Sequence, residues 1–495
     1  MRLRGAPMSI RRNTLYNLLG RIAPLGVSLV TVPLYLHAIG EARYGVLAII
    51  WLFTGYFGVF EMGLSRASAY HLARQHDDTP AVRSTTFWTA FWLNLSFGLM
   101  GAVVLYAVAQ PVFTQFFHMS ETMRRSVLAS LPWIAAALPL STLGGVLAGA
   151  LEARERFAYM NVIGVFNTAV TQIGPLLVAV FISPELTWLI PAVVIARASG
   201  LLLQFVGVWR FLPIVPSALF DRTRARALFT YGGWISLTNI VGPVLVTFDR
   251  MLIGALLSVQ AVTYYTVPYN LVNRVSMLPG ALSTSLFPRF SRTENEEGKH
   301  LAERGLHLLL AVMTPITVTG IALLPLFLTH WISPAFSQHG AVVGMILLAG
   351  VWINGLAYIP YGLLQGQGRP DITAKLHLLE LPFFLLLLWG GIHWLGLPGA
   401  ALAWSLRVAA DALLLFYFAR LPLRLRYGLP ALALLGGAAV AAPQNMISAH
   451  SIVAALLVVF SVLWALWIAP ELRHLLLRST HGLRRFSPAQ FWRHP

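Results

Sequence analysis

The chain has 495 residues, of which 57% are hydrophobic and only 11% are charged, and its formal net charge is +17. Soluble proteins carry about 25% charged residues, and this chain has no polar segment long enough for a water-soluble domain. The composition therefore excludes a soluble protein and predicts an all-α integral membrane protein. The absence of cysteine excludes disulfides, thiolate metal ligands and a cysteine nucleophile.

A helix needs about 20 apolar residues to cross the hydrocarbon core of a bilayer. The apolar runs predict fourteen such spans, of which the thirteenth is short and rich in Gly and Ala. In chain order they are 13–38, 44–69, 86–110, 126–150, 157–182, 186–209, 227–256, 260–288, 305–331, 338–364, 371–394, 397–419, 428–443 and 450–469. The first apolar run is too long for a signal peptide, so we expect it to be retained as span 1.

The basic residues alternate between the two sides of these spans. With the N-terminus in the cytoplasm, 27 of the 35 Lys and Arg residues fall in cytoplasmic segments and three (Arg43, Arg124 and Arg125) in external loops. Because cytoplasmic loops of membrane proteins are enriched in basic residues, both termini are expected to be cytoplasmic. The same rule explains the net charge without a nucleic-acid partner. The external loops are too short to hold a catalytic domain.

Two similar stretches lie six spans apart. "LVTVPLYLHAIGEARYG" begins at residue 29 and "LVTFDRMLIGALLSVQAVTYY" at residue 245. An even offset predicts parallel repeats about an axis along the membrane normal, with a substrate site at their interface. The expected organisation is a basic N-terminus (1–12), an N-lobe of spans 1–6 (13–210), a cytoplasmic linker (211–226), a C-lobe of spans 7–12 (227–420), spans 13 and 14 (428–470) and a basic cytoplasmic tail (471–495).

Several charged residues fall inside the spans. A charge at the bilayer centre costs at least ~2.5–3.5 kcal/mol, so such residues tend to face protein or a water-filled cavity. They are Arg21, Glu61, Arg197, Asp249, Arg250, Arg274, Glu380, Arg407 and Asp411, with His377 beside Glu380. Arginine exceeds the carboxylates, which predicts a net positive cavity, and its planar fork suits phosphate.

Each charged position also has a structural interpretation. Arg21 shares a helix face with Asn17, which favours a cavity role over an anchor that reaches back to the membrane surface. Arg197 and Arg274 lie near the middle of their spans, and a buried ion pair is the alternative for both. Glu61 is either a packing partner of Arg21 or a coupling site.

The remaining charges are expected to pair locally or to act in coupling. Asp249 and Arg250 are adjacent, so we expect them to point to different sides of the helix without neutralising each other. Arg407 and Asp411 are spaced i, i+4 and are expected to pair. His377 and Glu380 either handle a proton or satisfy each other.

The candidates for coupling to H⁺ or Na⁺ are Asp249, Glu380, Glu61, Asp411 and His377. The sequence contains no Walker A, HExxH or GxSxG motif, so no catalytic residues, cofactor or metal site are predicted.

The first two spans resemble the N-terminal signature of the Wzx-type polysaccharide and O-antigen flippases. These belong to the multidrug/oligosaccharidyl-lipid/polysaccharide (MOP) superfamily, which also contains the MATE exporters. The matching elements are Asn13, Asn17, Pro33, "IGEARYG" and "FEMGLSRA". The stretch "FDRMLIGALLSVQAVTYYTVPYNLVNRVSMLPGALSTSLFPRFSR" is similar to the same family, so the resemblance covers roughly residues 10–420. Glu61 is a departure, because the family more often has Asp there.

The resemblance implies two six-helix lobes in a V with two extra helices. It implies a flippase that moves undecaprenyl-diphosphate-linked oligosaccharide between leaflets of the bacterial inner membrane by alternating access, for O-antigen or exopolysaccharide synthesis. The diphosphate would then meet Arg21, Arg274 and Arg197, with Asn17, Arg250 and Arg407 lining or supporting the cavity. The implied partners are the lipid-linked oligosaccharide, the bilayer and the polysaccharide polymerase and chain-length machinery.

Other functions fit the sequence less well. A lipid II flippase shares the architecture and differs only in motif details. A MATE-like multidrug exporter would usually have twelve spans and an acidic cavity for cationic drugs. A membrane polysaccharide polymerase or ligase is least favoured, because it needs a large external loop with catalytic groups.

Overall fold

The computed structural model describes residues 10–56, 63–75, 78–212, 214–215, 220–228, 247–292, 295–422, 425–442 and 449–469. Within these ranges the chain forms helices and no strands. The principal α-helices are α1 (Ile10–Tyr56), α2 (Leu64–Arg74), α3 (Pro80–Pro111), α4 (Glu121–Glu152), α5 (Phe157–Phe181), α6 (Leu186–Phe211), α7 (Val259–Val272), α8 (Met277–Phe290), α9 (Asn295–Trp331), α10 (Pro334–Gly366), α11 (Pro370–Phe418), α12 (Leu425–Val440) and α13 (Ala449–Ile468).

Eight of the described helices are long and apolar enough to cross a membrane. They are α3, α4, α5, α6, α9, α10, α11 and α13. Predicted spans 3 to 6 correspond to α3 to α6, and predicted spans 9, 10 and 14 correspond to α9, α10 and α13. The predicted all-α membrane fold is therefore confirmed.

Two helices reverse direction at a glycine: α11 holds predicted spans 11 and 12, and α1 holds predicted span 1 and the first half of predicted span 2. α1 passes through Gly40 (φ 74°, ψ 166°) and α11 through Gly396 (φ 63°, ψ −137°). Glycine adopts a positive φ without the steric cost that a Cβ would add. In α1 the rings of Tyr35 and Trp51 lie 5.6 Å apart between centroids, which a straight helix of this length would not allow. Predicted spans 1 and 2, and 11 and 12, are therefore joined by single-glycine turns.

Three predicted spans differ in detail from the described helices. Predicted span 8 (260–288) is divided into α7 and α8 by a 3₁₀ turn, Asn273–Ser276. Predicted span 2 (44–69) runs into α2, which begins after the left-handed Gly63 (φ 65°). Only residues 247–256 of predicted span 7 are described as helix, since 229–246 lie outside the described residues.

The chain divides into two compact units. The first comprises Met1–Val267 and Leu385–Ala400. Its main core includes Leu64, Phe87 and Val146, from α2, α3 and α4, each fully buried. The helices approach closely at Gly149 of α4, where a Cβ would lie 2.5 Å from a backbone oxygen of α2. Small residues therefore set the packing distance in this unit.

The second unit comprises Pro268–Phe384 and Ala401–Pro495. In this unit α9 packs against α13 through Ala311 and Ala465. The indole of Trp352 on α10 donates a hydrogen bond of 3.1 Å to the hydroxyl of Thr314 on α9. Small residues and interhelical hydrogen bonds are the usual contacts between helices in lipid. The lobe boundaries given above stay a prediction.

Candidate transport site

Two of the arginines expected at the diphosphate lie among the described side chains. Arg197 on α6 is half-buried, and its Nη2 donates a hydrogen bond of 3.1 Å to the hydroxyl of Ser141 on α4. Arg274 lies on the 3₁₀ turn between α7 and α8 and is half-exposed. Among the described residues, no carboxylate pairs with Arg274 and no hydrogen bond holds its guanidinium.

The structure does not test the other predicted positions near the N-terminus. The backbone of Asn17 and Arg21 belongs to α1, but their side chains lie outside the described residues, as does all of Glu61. Their roles in the cavity and in coupling stay predictions.

Asp249 and Arg250 form a buried cluster with Tyr265, called the Asp249 cluster below. Asp249 Oδ1 accepts hydrogen bonds from Arg250 Nη1 at 3.0 Å and from the backbone N–H of Arg250 at 2.7 Å. Asp249 Oδ2 accepts a hydrogen bond of 2.8 Å from the Tyr265 hydroxyl. The expectation that these adjacent charges cannot neutralise each other is wrong, because the long arginine side chain curls back onto its neighbour.

The charges of α11 also form a cluster, but with different partners from those predicted. Arg407 Nε donates a hydrogen bond of 3.2 Å to Glu380 Oε2, and His377 Nε2 lies 3.8 Å from Asp411 Oδ1. The expected pair of Arg407 with Asp411 is therefore wrong, and His377 and Glu380 do not satisfy each other. The reversal at Gly396 brings the two halves of α11 face to face, so each charge pairs across the turn instead of along its own helix. These four residues, His377, Glu380, Arg407 and Asp411, are called the α11 cluster below.

Some oxygens of the α11 cluster have no hydrogen-bond donor. Glu380 and Asp411 are each only 6% exposed. Glu380 Oε1 and Asp411 Oδ1 are buried, and no donor among the described residues reaches either oxygen. The two carboxyl groups lie within hydrogen-bonding reach of each other, yet both are acceptors when ionised. The arrangement therefore has room for a proton between them.

Four loops predicted to be external meet at one end of the first unit. The backbone N–H of His118 donates to the carbonyl of Gly254 over 3.3 Å, and Arg43 forms an ion pair of 2.7 Å with Glu185. The backbone oxygen of Val259 lies so close to α1 that a Cβ at Gly45 would be 1.8 Å away. The fourteen-span alternation places these four loops on one side, in agreement with the contacts.

Glu41 holds two of these loops together. Its carboxylate accepts hydrogen bonds from the amide of Gln260 at 2.6 Å and from the hydroxyl of Tyr264. Thr263 donates a hydrogen bond of 2.6 Å to the backbone oxygen of Glu41. Glu41 and Arg43 also line a cavity of about 290 Å³. Glu41 lies in the short loop between predicted spans 1 and 2. The sequence did not predict this contact, since no spacing rule relates residue 41 to residue 260.

The described residues offer no other obvious chemical site. Within the described ranges, no group of three or more His, Asp or Glu side chains is arranged to hold a metal ion. The chemical groups present are the guanidinium donors of Arg197 and Arg274 and the carboxyl groups of the α11 cluster.

Comparison with known families gives the context of these groups. Residues 39–365, about two thirds of the chain, match the family described as "Polysaccharide biosynthesis protein". The chain belongs to this family. The resemblance drawn from the first two spans and from the second half of the sequence is thereby confirmed.

Relatives in this family support a transport role. The chain is 28% identical over 413 residues to the "Putative O-antigen transporter" of Shigella flexneri, covering 82% of this chain and 97% of that protein. It is 21% identical to the "Succinoglycan biosynthesis transport protein ExoT" of Rhizobium meliloti, over 73% of this chain and 70% of that protein. It is 22% identical to the "Teichuronic acid biosynthesis protein TuaB" of Bacillus subtilis, over 64% and 62%. The chain is therefore a transporter and not an enzyme.

Solved structures share the fold. "Lipid II flippase MurJ, inward closed conformation" aligns with a TM-score of 0.69 at 14% identity, over 93% of this chain and 99% of that chain. A mutant of the Vibrio cholerae MATE transporter VcmN aligns with a TM-score of 0.56 at 15% identity, over 82% of this chain and 94% of that chain. The chain therefore has the helical membrane fold of these transporters.

Proposed function

We propose that the chain moves undecaprenyl-diphosphate-linked oligosaccharide from the cytoplasmic to the periplasmic leaflet of a bacterial inner membrane, by alternating access. The observation that carries the proposal is the similarity to the Shigella O-antigen transporter over almost all of that protein's length. The relatives named for teichuronic acid and succinoglycan point to the same class of substrate, a membrane intermediate of polysaccharide assembly. A polysaccharide polymerase with its chain-length machinery would use the product.

The diphosphate is proposed to meet Arg21, Arg197 and Arg274. A partly exposed guanidinium with no carboxylate among the described residues, as at Arg274, is free to bind an oxyanion. The hydrogen bond from Arg197 to the hydroxyl of Ser141 helps to fix the position of its guanidinium. Arg250 and Arg407 are already paired with acids, so their proposed part is to support the cavity walls.

A paired measurement tests this assignment. Arg274→Ala and Arg197→Ala are expected to abolish or severely reduce surface polysaccharide in a deletion strain, while the amount of protein in the membrane stays near normal. Arg292→Ala, an exposed arginine on the predicted cytoplasmic side, is the matched control and should complement fully. Full complementation by both test variants at normal abundance would show that neither arginine handles the diphosphate.

The direction of transport depends on the proposed topology, in which both termini and the 211–226 linker are cytoplasmic. Because the chain has no cysteine, single cysteines report their side directly. Ser120→Cys and Ala335→Cys are expected to react with an impermeant thiol reagent from outside intact cells, and Asn295→Cys is expected to be protected. External labelling of Asn295→Cys would overturn the fourteen-span arrangement.

Net transport in one direction also needs a source of free energy. Since the chain carries no ATPase motif, we propose coupling to a gradient of H⁺ or Na⁺ through intramembrane acids. Within the Asp249 cluster, both carboxylate oxygens of Asp249 already accept hydrogen bonds, which favours the α11 cluster as the coupling site.

A further inference from the structure

We propose that Glu380 and Asp411 together bind a single proton, shared between Glu380 Oε1 and Asp411 Oδ1 and exchanged through His377. In coupling, the ion would then be a proton, and one proton would bind at the site. Its use in transport rests on the proposed function, whereas its existence does not.

Both carboxyl groups of the pair are buried. Glu380 and Asp411 are each 6% exposed, on the two facing halves of α11. Water therefore cannot solvate their carboxyl groups, and each oxygen needs a partner within the protein. Arg407 provides one, through the hydrogen bond of 3.2 Å from its Nε to Glu380 Oε2. That bond leaves the other oxygen of Glu380 without a donor.

Each of the two carboxyl groups has one unsatisfied oxygen. Glu380 Oε1 and Asp411 Oδ1 are the buried atoms of this cluster without a donor among the described residues, and their carboxyl groups are within hydrogen-bonding reach. Two ionised carboxylates offer only acceptors and repel each other. One proton turns one carboxyl into a donor, and the resulting O–H···O⁻ bond satisfies both oxygens at once.

The net charge of the α11 cluster also indicates a single proton. With His377 neutral, Arg407 contributes +1 and the two carboxylates contribute −2, so the α11 cluster carries −1. One bound proton makes it neutral, and two would leave it at +1. Among the described residues, Tyr361 on α10 also lies near Asp411, and its hydroxyl is uncharged when protonated. A single proton is therefore the number that a buried site requires.

His377 gives the proton a route. Its Nε2 lies 3.8 Å from Asp411 Oδ1, and its side chain is 31% exposed while that of Asp411 is only 8% exposed. A distance of 3.8 Å is too long for a hydrogen bond but short enough for transfer after a small movement. A proton on His377 also neutralises the cluster, so the charge stays balanced while the proton passes to the carboxyl pair.

The same geometry disfavours a metal cation. Hard cations take several oxygen ligands, and only two unsatisfied carboxylate oxygens are available among the described residues of this cluster. The guanidinium of Arg407 lies directly on Glu380 and would repel a second positive charge. A shared proton needs only one oxygen from each carboxyl group.

Infrared difference spectroscopy of the purified full-length protein tests the pair directly, without transport. A protonated buried carboxylic acid gives a C=O band that shifts in D₂O. The wild type is expected to show such a band near neutral pH, and to lose it on alkaline titration. Asp411→Asn and Glu380→Gln are each expected to remove the band, whereas Glu121→Gln, an exposed acid on α4, should keep it.

The outcomes separate the proton pair from the proposed function. Absence of the band in the wild type, or its persistence in Asp411→Asn and Glu380→Gln, overturns the pair. Loss of the wild-type band on adding NaCl at constant pH, with a KCl control, would show that sodium displaces the proton, and it overturns the assignment of the proton as the coupling ion. Two variants are used so that failure of one to fold leaves the other to decide. A shared-proton band in a protein that fails to flip lipid-linked oligosaccharide supports the pair and contradicts only the proposed function.

Discussion

Asp249 and Asp411 are both buried aspartates beside an arginine, yet their carboxylates are partnered very differently. In the Asp249 cluster both oxygens accept hydrogen bonds, from Arg250 and from the Tyr265 hydroxyl. In the α11 cluster Arg407 bonds to Glu380, and Asp411 Oδ1 has no donor among the described residues. Burial of charge is common to both clusters, and the unsatisfied oxygens distinguish them. A buried carboxylate whose oxygens all accept hydrogen bonds holds helices together, whereas a carboxylate with an unsatisfied oxygen can still take up a proton.

The largest expected effect comes from opening the Asp249 cluster. Arg250→Ala leaves the Asp249 carboxylate buried without its neutralising charge, which should cost about 3–5 kcal/mol in the free energy of unfolding. Thermal unfolding of the purified protein and its abundance in membranes measure the loss. The double variant Asp249→Leu/Arg250→Met removes both charges and should recover most of the stability. If the double variant is as unstable as Arg250→Ala, the cluster has a role other than neutralising its own charges.

Removing the arginine of the α11 cluster should lower the free energy of unfolding by less than Arg250→Ala does. Arg407→Ala removes the donor to Glu380, but the carboxyl pair and His377 can take up a proton to restore the balance of charge. We expect a loss of about 2 kcal/mol, below the value for Arg250→Ala. Arg407→Lys should recover part of it, because lysine keeps the charge and loses the planar fork. A loss equal to that of Arg250→Ala would show that the two clusters are equally rigid.

The two tyrosines near the clusters provide a matched pair. Tyr265→Phe removes a hydrogen bond to an ionised carboxylate and should cost about 1.5 kcal/mol. Tyr361 lies near Asp411, and no hydrogen bond between them is present among the described contacts, so Tyr361→Phe should change stability by less than about 0.5 kcal/mol. Unfolding of both variants under one set of conditions provides the comparison. Equal losses of stability in Tyr265→Phe and Tyr361→Phe would contradict the difference in hydrogen bonding between the two tyrosines.

The smallest effect on stability is expected at His377. His377→Gln removes a group that lies 3.8 Å from Asp411 and makes no hydrogen bond to it, so stability should change by less than about 0.5 kcal/mol. The rate at which the carboxyl pair equilibrates with solvent after a pH jump should fall at least several-fold, as followed by time-resolved infrared absorption. An unchanged rate would remove His377 from the proton route.

The positions of the helices were largely predictable, because lipid requires long apolar runs and the runs are plain in the sequence. The turns at Gly40 and Gly396 were also predictable as loops between spans. The division of predicted span 8 was not, since Asn273–Ser276 lies in an apolar run and its 3₁₀ turn depends on tertiary packing.

The partners of the charged residues were much less predictable. Spacing along one helix suggested Arg407 with Asp411, whereas the reversal at Gly396 pairs Arg407 with Glu380, 27 residues away. The contact between Glu41 and Gln260 likewise joins parts of the chain that no local rule relates. A single sequence identifies which residues are charged inside the membrane, but their pairing is decided by how the helices pack.

The separation in sequence between paired charges has a consequence for how the protein is made. Arg250 follows Asp249 directly, so the two charges leave the ribosome together and can neutralise each other within one helix as it enters the bilayer. Glu380 and Arg407 are 27 residues apart, on opposite halves of α11. Glu380 therefore leaves the ribosome before its partner does, and its charge adds to the cost of inserting the first half of α11. Insertion of the two halves as one hairpin, turned at Gly396, would let the pair form during biogenesis.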